Sequence, residues 1–320
     1  MTKTERQTPG WWLWLSTRPT HAYAIIFGLL SLLLFRQTLS SLASLSLHDE
    51  LASHILLIPL ISAFLIYLDR KRIFRDPRYC PFVGMPLLLT AVVLWYSLKI
   101  PLSSLNNTDR LSVDAALIVL AWVAVFILFY GTGSFKTAAF PLLFLLLMSP
   151  LPVVVAEHMV SLLQKGSAGT CYALFRLIGV PVIRHGFRFS LPGVDIEVAE
   201  QCSGIHSGLS LFIVGLLAQH ALLQDNWKKA CFILCIFPIA IFKNAVRIVT
   251  IAWLGIHVNP GFFHGQLHHQ GGLPFALLSL ALMAGLLWLL KSPLPFSRTH
   301  HPSRQRGLPA ATPQLGSGVA

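Results

Sequence analysis

The feature that most constrains this chain is a recurrence of apolar runs, each roughly 17 to 25 residues long, separated by short polar breaks. A helix of that length rises about 30 Å, the depth of a bilayer's hydrocarbon core. Hydrocarbon offers no partner to backbone N–H and C=O groups, so a segment crossing it must satisfy them internally, as a helix does. About eight such runs occur, near 21–44, 51–68, 82–100, 111–130, 137–157, 204–222, 230–256 and 273–291. Composition agrees, since 55% of the 320 residues are hydrophobic and 11% charged, more apolar surface than a soluble core of this length absorbs. The expected fold is an all-α polytopic membrane protein with about eight transmembrane helices. A small extracytoplasmic amphipathic helix and a β-hairpin are expected beside them.

The first run is the weakest, because Arg36 interrupts it. No small-residue cleavage site follows it, so it reads as a retained anchor and not a signal peptide. The "WWLWL" of 11–15 suits a membrane interface, where indole rings settle. Residues 1–20 are read as a cytoplasmic tail, 21–291 as one integral domain, and 292–320, rich in Pro, Ser, Arg and His, as a disordered cytoplasmic tail.

A formal charge of +12 raises the question of nucleic acid, yet the basic residues sit in short loops beside the spans and form no aromatic-interleaved patch. No nucleic-acid partner is expected. The positive-inside rule accounts for the charge: with a cytoplasmic N-terminus, "DRKRIFRDPR" (69–78), "DNWKK" (225–229) and "SRTHHPSRQRG" (297–307) share one side. Segments 37–50, 101–110, 158–203 and 257–272 then lie outside, although 158–203 also carries Lys165, Arg176, Arg184 and Arg188. Long translocated segments count little in that rule.

The outer segment 158–203 is the most informative. Residues 156–179 are too polar for a comfortable span and read as an amphipathic helix on or dipping into the outer surface. Farther on, Val194, Ile196 and Val198 alternate with Asp195 and Glu197 after a Pro192-Gly193 turn, which predicts a hairpin. The hairpin delivers the chain to "AEQCSG" at the start of the sixth run.

Three polar features are expected on one face. Cys202 sits at the outer start of the sixth run, where a helix N-terminus and nearby cations favour a thiolate. Gly204 would let a substrate backbone approach, or else serve as a small packing position with Ser203, Ser207 and Gly208. "FKNAVRIVTIAW" places Asn244 and Arg247 on one helix side, and an arginine inside an apolar helix normally faces a cavity or a partner. The loop "HVNPGFFHGQLHHQGG" brings His257, His264, His268 and His269. Its His264 and His268 have an i, i+4 spacing compatible with zinc, but no HExxH and no acidic residue accompany them. Neither a metal nor another cofactor is expected. The five cysteines make no disulfide framework, a Cys171–Cys202 bridge being the plain alternative.

The sequence resembles the exosortase/archaeosortase family of membrane-embedded cysteine transpeptidases. The likeness runs through "HDELASHILLIPLISAFLIYLDRKR" (48–72), "FPLLFLLLMSPLP" (140–152), "VAEQCSGIHS", "NAVRI" and "HHQGG". It implies Cys202 as nucleophile, Arg247 as the catalytic arginine and His268, in preference to His269, as acid/base, with Asn244 a further oxyanion donor. Gly204 and His206 would contact substrate, and His206 stands where family members often carry arginine. The resemblance further implies exported protein substrates bearing a PEP-CTERM-like C-terminal sorting signal, cleaved through a thioester. Transfer to an exopolysaccharide or lipid acceptor, or release, would follow at the outer face of a bacterial inner membrane. Two rivals stand beside it: a polytopic transporter whose path is lined by Lys243, Arg247 and the histidines, and an exopolysaccharide export factor.

Overall fold

The computed structural model describes residues 19–98, 105–198, 204–259 and 272–291. Its elements are α1 (Pro19–Leu34), α2 (Arg36–His48), a 3-10 turn (Glu50–Ala52), α3 (Leu57–Leu68), α4 (Arg70–Ile73), α5 (Pro81–Leu98) and α6 (Asn107–Phe144). A second 3-10 turn (Leu145–Met148), α7 (Val153–Leu177), β1 (Ile183–His185), β2 (Arg188–Leu191), β3 (Val194–Glu197), α8 (Ile205–Leu222), α9 (Asn226–His257) and α10 (Gly272–Lys291) follow. Among the described residues, six helices are long and apolar enough to cross a membrane. The chain is an all-α polytopic membrane protein with one small sheet.

Two expected spans are redrawn. The first is broken: α1 and α2 meet at 71°, and together they pass as a seventh candidate crossing. The break falls beside Arg36, whose charge is costly in hydrocarbon. The expected fifth run, 137–157, ends early. Pro150 and Pro152 stop it, the 3-10 turn closes at Met148, and Val153 onward belongs to α7.

Straight, the 42 residues Asn107–Met148 would span about 60 Å. Instead, Ser112 Oγ donates to the Pro150 carbonyl at 2.7 Å, Ser149 Oγ to the Ser112 carbonyl at 2.8 Å, and the Val153 N–H to Asp109 Oδ1 at 2.7 Å. The chain therefore reverses, and Gly131, with φ +81°, is where it does so. A Cβ there would lie 2.4 Å from the Arg78 carbonyl oxygen, so only glycine fits. The expected pair of runs, 111–130 and 137–157, thus corresponds to two antiparallel arms of one helical hairpin. Whether the crossings total about eight depends on how the bent pair and this reversal are counted.

The reversal fixes the two ends of the bundle. One end gathers Arg78, Cys80, Tyr130 and Gly131, where Arg78 N–H donates to the Tyr130 carbonyl at 3.3 Å. His220, at the far end of α8, interacts with Asp69 and Lys229, which brings 69–78 and 225–229 to this same end. The opposite end gathers Asp49, Leu51, Thr108, Pro150 and Leu209 around one small cavity. The start of α8 therefore lies across the bundle from the arginine-rich loop.

The expected hairpin exists, with Gly193 turning at φ +81°, and Arg188 paired to Glu197 and Leu191 to Val194. It gains a strand: β1 pairs antiparallel with β2 through a turn at Gly186 (φ +64°), giving the order β1-β2-β3. Phe189, Leu191 and Val198 pack with Cys171 and Phe175 of α7 and with Ala245 and Val249 of α9. The sheet is thereby fastened to two helices just before the Cys202 segment.

Candidate active site

Gly204 occupies the N-cap position of α8 in the left-handed conformation, φ +79° and ψ 18°. Its carbonyl accepts from the Gly208 N–H at 2.8 Å and from Ser207 Oγ at 3.0 Å, closing the first turn of the helix. A Cβ at this glycine would lie 3.2 Å from both Cγ and Oδ1 of Asn244. The glycine is therefore required twice, by its backbone angle and by the helix opposite.

Asn244 is 1% exposed, and its Nδ2 donates to Ser167 Oγ of α7 at 3.0 Å. Small residues let α7 and α9 approach this closely. A Cβ on Gly166 would meet Ile241 Cδ1 at 2.6 Å, and Ala168 and Ala245 are fully buried in the shared core. Arg247 follows Asn244 by three residues on α9 and is half-buried. Lys243, one turn before Arg247, is 6% exposed and donates to Ser207 Oγ of α8. Lys243 and the buried amide of Asn244, neighbours on α9, thus stand beside the start of α8, and Arg247 lies one turn farther along α9 than Lys243.

Another buried amide holds the chain on the near side of Cys202. Gln164 of α7 donates through Nε2 to the Val198 carbonyl at 2.6 Å, immediately after β3. Below the site, Ile205, Gly208, Met159, Leu163, Phe237 and Ala240 border an apolar cavity of about 270 Å³.

Of the residues singled out from sequence, Gly204 and Asn244 meet at this helix junction, and Arg247 lies on α9 three residues beyond Asn244. His206 is exposed in the first turn of α8, its carbonyl accepting from Ser210 Oγ at 3.1 Å. Cys202, His264, His268 and His269 lie outside the described residues. His257, the last residue of α9, is exposed and stacks on Trp253, with Nδ1 3.0 Å from that residue's carbonyl oxygen. Cys171 is a free, fully buried thiol that contacts the Ala245 carbonyl at 3.7 Å. It belongs to α7, which is not among the helices apolar enough to cross, and burial pushes its pKa up to about 12.

Gln164, Ser167 and the Lys243–Ser207 contact were not assigned to the site from sequence. The signal was faint: a glutamine and a serine on the buried side of an amphipathic helix, and a lysine inside an apolar one.

Residues 45–285 match the family model described as transmembrane exosortase (Exosortase_EpsH). Comparisons with curated proteins and with solved structures returned no match.

Proposed function

The chain belongs to the transmembrane exosortase family, and from that premise we propose that it is a membrane-embedded cysteine transpeptidase acting on exported proteins. Its substrates carry a C-terminal sorting signal, and its active site opens at the non-cytoplasmic rim. The observation that carries this reading is the seat of Gly204 against Asn244. It ties the residue two after Cys202 to the helix that bears Arg247. The rim assignment is supported by the basic loops 69–78 and 225–229, which mark the opposite end by the positive-inside rule.

In the proposed reaction the Cys202 thiolate attacks the scissile carbonyl carbon of the signal, and the carbonyl becomes a tetrahedral oxyanion. Arg247 donates to that oxygen. As the C–N bond breaks, His268 gives its proton to the departing amine, leaving a thioester on Cys202. An amine nucleophile or water then attacks the thioester, and the sulfur departs as thiolate while the proton returns to His268. The nucleophile is supplied by an exopolysaccharide or lipid acceptor, or by solvent. Asn244, deeply buried and bonded to Ser167, positions the junction of α7, α8 and α9. His206, in the first exposed turn of α8, contacts the signal.

The test is Cys202→Ala in cells exporting a reporter with a candidate signal. The variant should accumulate full-length precursor, and wild-type protein quenched in acid should carry a reporter adduct that hydroxylamine releases. Processing at the wild-type rate without Cys202 would overturn the assignment. If such a variant instead changed solute uptake, a transporter would be favoured.

A further inference from the structure

The loop between α4 and α5 and the reversal of α6 enclose a second cavity, of about 620 Å³, at the end of the bundle away from the candidate active site. Arg72, Arg75 and Arg78 line it from one side, and Thr132, Gly133 and Ser134 from the other. Tyr130 forms part of its wall, with its hydroxyl oxygen 2.9 Å from His21 Nδ1. Asp76 is the single carboxylate among the lining residues, so three guanidinium groups face one acid.

No ion pair among the described residues involves any of the three arginines. Asp69, the residue before α4, interacts with His220. Elsewhere at this end, Asp225 is paired with Lys228.

Planar guanidinium groups bind phosphate oxygens two at a time, which suits arginine to this anion better than to chloride or a lone carboxylate. The reversal at Gly131 adds the first-turn N–H groups of the second arm of α6, which have no partner within their own helix. Basic pockets between helix ends on the cytoplasmic side recur as headgroup sites for anionic lipids.

We propose that this cavity binds a phosphate-bearing anion, held by Arg72, Arg75 and Arg78 against the start of the second arm of α6. The phosphate is that of a membrane lipid headgroup or of a soluble phosphate compound, a chemistry the two share. The site is independent of the peptide chemistry proposed above, because it rests on residues at the opposite rim.

The test uses the full-length protein in detergent, titrated with dioleoylphosphatidylglycerol, with dioleoylphosphatidylcholine, or with sodium phosphate against sodium chloride at matched ionic strength. Thermal stabilisation and lipid retention in native mass spectrometry are read. Wild type should show saturable stabilisation by phosphatidylglycerol or by inorganic phosphate. If only the lipid acts, the headgroup is the ligand, whereas competition of the lipid by phosphate assigns recognition to the phosphate itself. Arg75→Gln/Arg78→Gln should weaken the effective ligand by roughly thirtyfold. Lys71→Gln/Lys136→Gln, which removes the same charge at exposed positions outside the cavity, should change affinity less than twofold. Equal weakening by the two double variants, equal affinity for phosphatidylcholine, or no saturable response to either phosphate probe would overturn the proposal.

Discussion

Substituting Gly204 with alanine tests whether the α8–α9 junction sets the geometry of the active site. An L-residue in the left-handed region costs about 1–2 kcal/mol, and the new methyl would press on Asn244 at 3.2 Å. Asn244 has little room, being 1% exposed and bonded to Ser167, so the neighbours must shift by some tenths of an ångström. A 1 Å misplacement of catalytic groups lowers rates by about a hundredfold, so a fraction of that predicts on the order of tenfold. Gly204→Ala should therefore slow single-turnover cleavage of a reporter in proteoliposomes about tenfold, with a stability loss near 1–3 kcal/mol. Gly208→Ala is the matched control. Its Cβ would meet only Ala240 Cβ at 3.9 Å, an ordinary contact, and alanine stabilises a helix interior by about 0.5–1 kcal/mol. Cleavage at the wild-type rate by the Gly204 variant, or greater damage from the Gly208 variant, would refute the reasoning.

Gln164→Ala should leave the Val198 carbonyl unsatisfied, costing about 1–3 kcal/mol. If Gln164 positions the chain before Cys202, kcat falls while KM is little changed, and steady-state kinetics separates the two. Burial raises the Cys171 pKa to about 12, so the thiol stays protonated at pH 8. Iodoacetamide at pH 8, read by peptide mass spectrometry, should therefore spare Cys171 in the folded protein and modify it after denaturation, while Cys171→Ala should retain cleavage. Gly131→Ala should be the most damaging of the glycine substitutions, because its Cβ would lie 2.4 Å from a backbone oxygen in a φ +81° conformation. Lowered yield of folded protein in size-exclusion chromatography would check it, and a normal yield would contradict the reversal.

The apolar runs were legible because hydrocarbon leaves a spanning chain little choice, and the structure places helices over most of them, breaking the first and ending the fifth early. Boundaries set by polar punctuation were harder. Arg36 signalled a weak span but not a 71° bend, and the apolar "LPVVVA" after Pro150 hid the start of α7. Gly131 gave no sign that its Cβ position is filled by the Arg78 carbonyl, since that contact joins segments 53 residues apart. The Asn244–Arg247 spacing was readable as one helix face, whereas the partners of Asn244 were not. Ser167 lies 77 residues away and has no pattern of its own. Long-range hydrogen bonds of this kind follow from how helices pack, which periodicity within a helix does not encode.

The same contacts tie the β-sheet to the helices that bear the candidate site. The chain from Val198 to Gly204 starts at a carbonyl held by Gln164 and ends at a glycine seated on Asn244. Both anchors refer to α7, since Gln164 belongs to it and Asn244 is bonded to its Ser167. The sheet, through Phe189 and Val198, packs on α7 and on α9, the two helices that meet at Ser167 and Asn244. If Cys202 is the proposed nucleophile, fixed anchors at Val198 and Gly204 would lessen the conformational freedom to be lost when its sulfur reaches a carbonyl. On the proposed mechanism, loosening either anchor should lower kcat before it changes substrate affinity. A double variant of Gln164 and Ser167 should then fall short of the sum of the single effects, because both act through the placement of one segment by one helix.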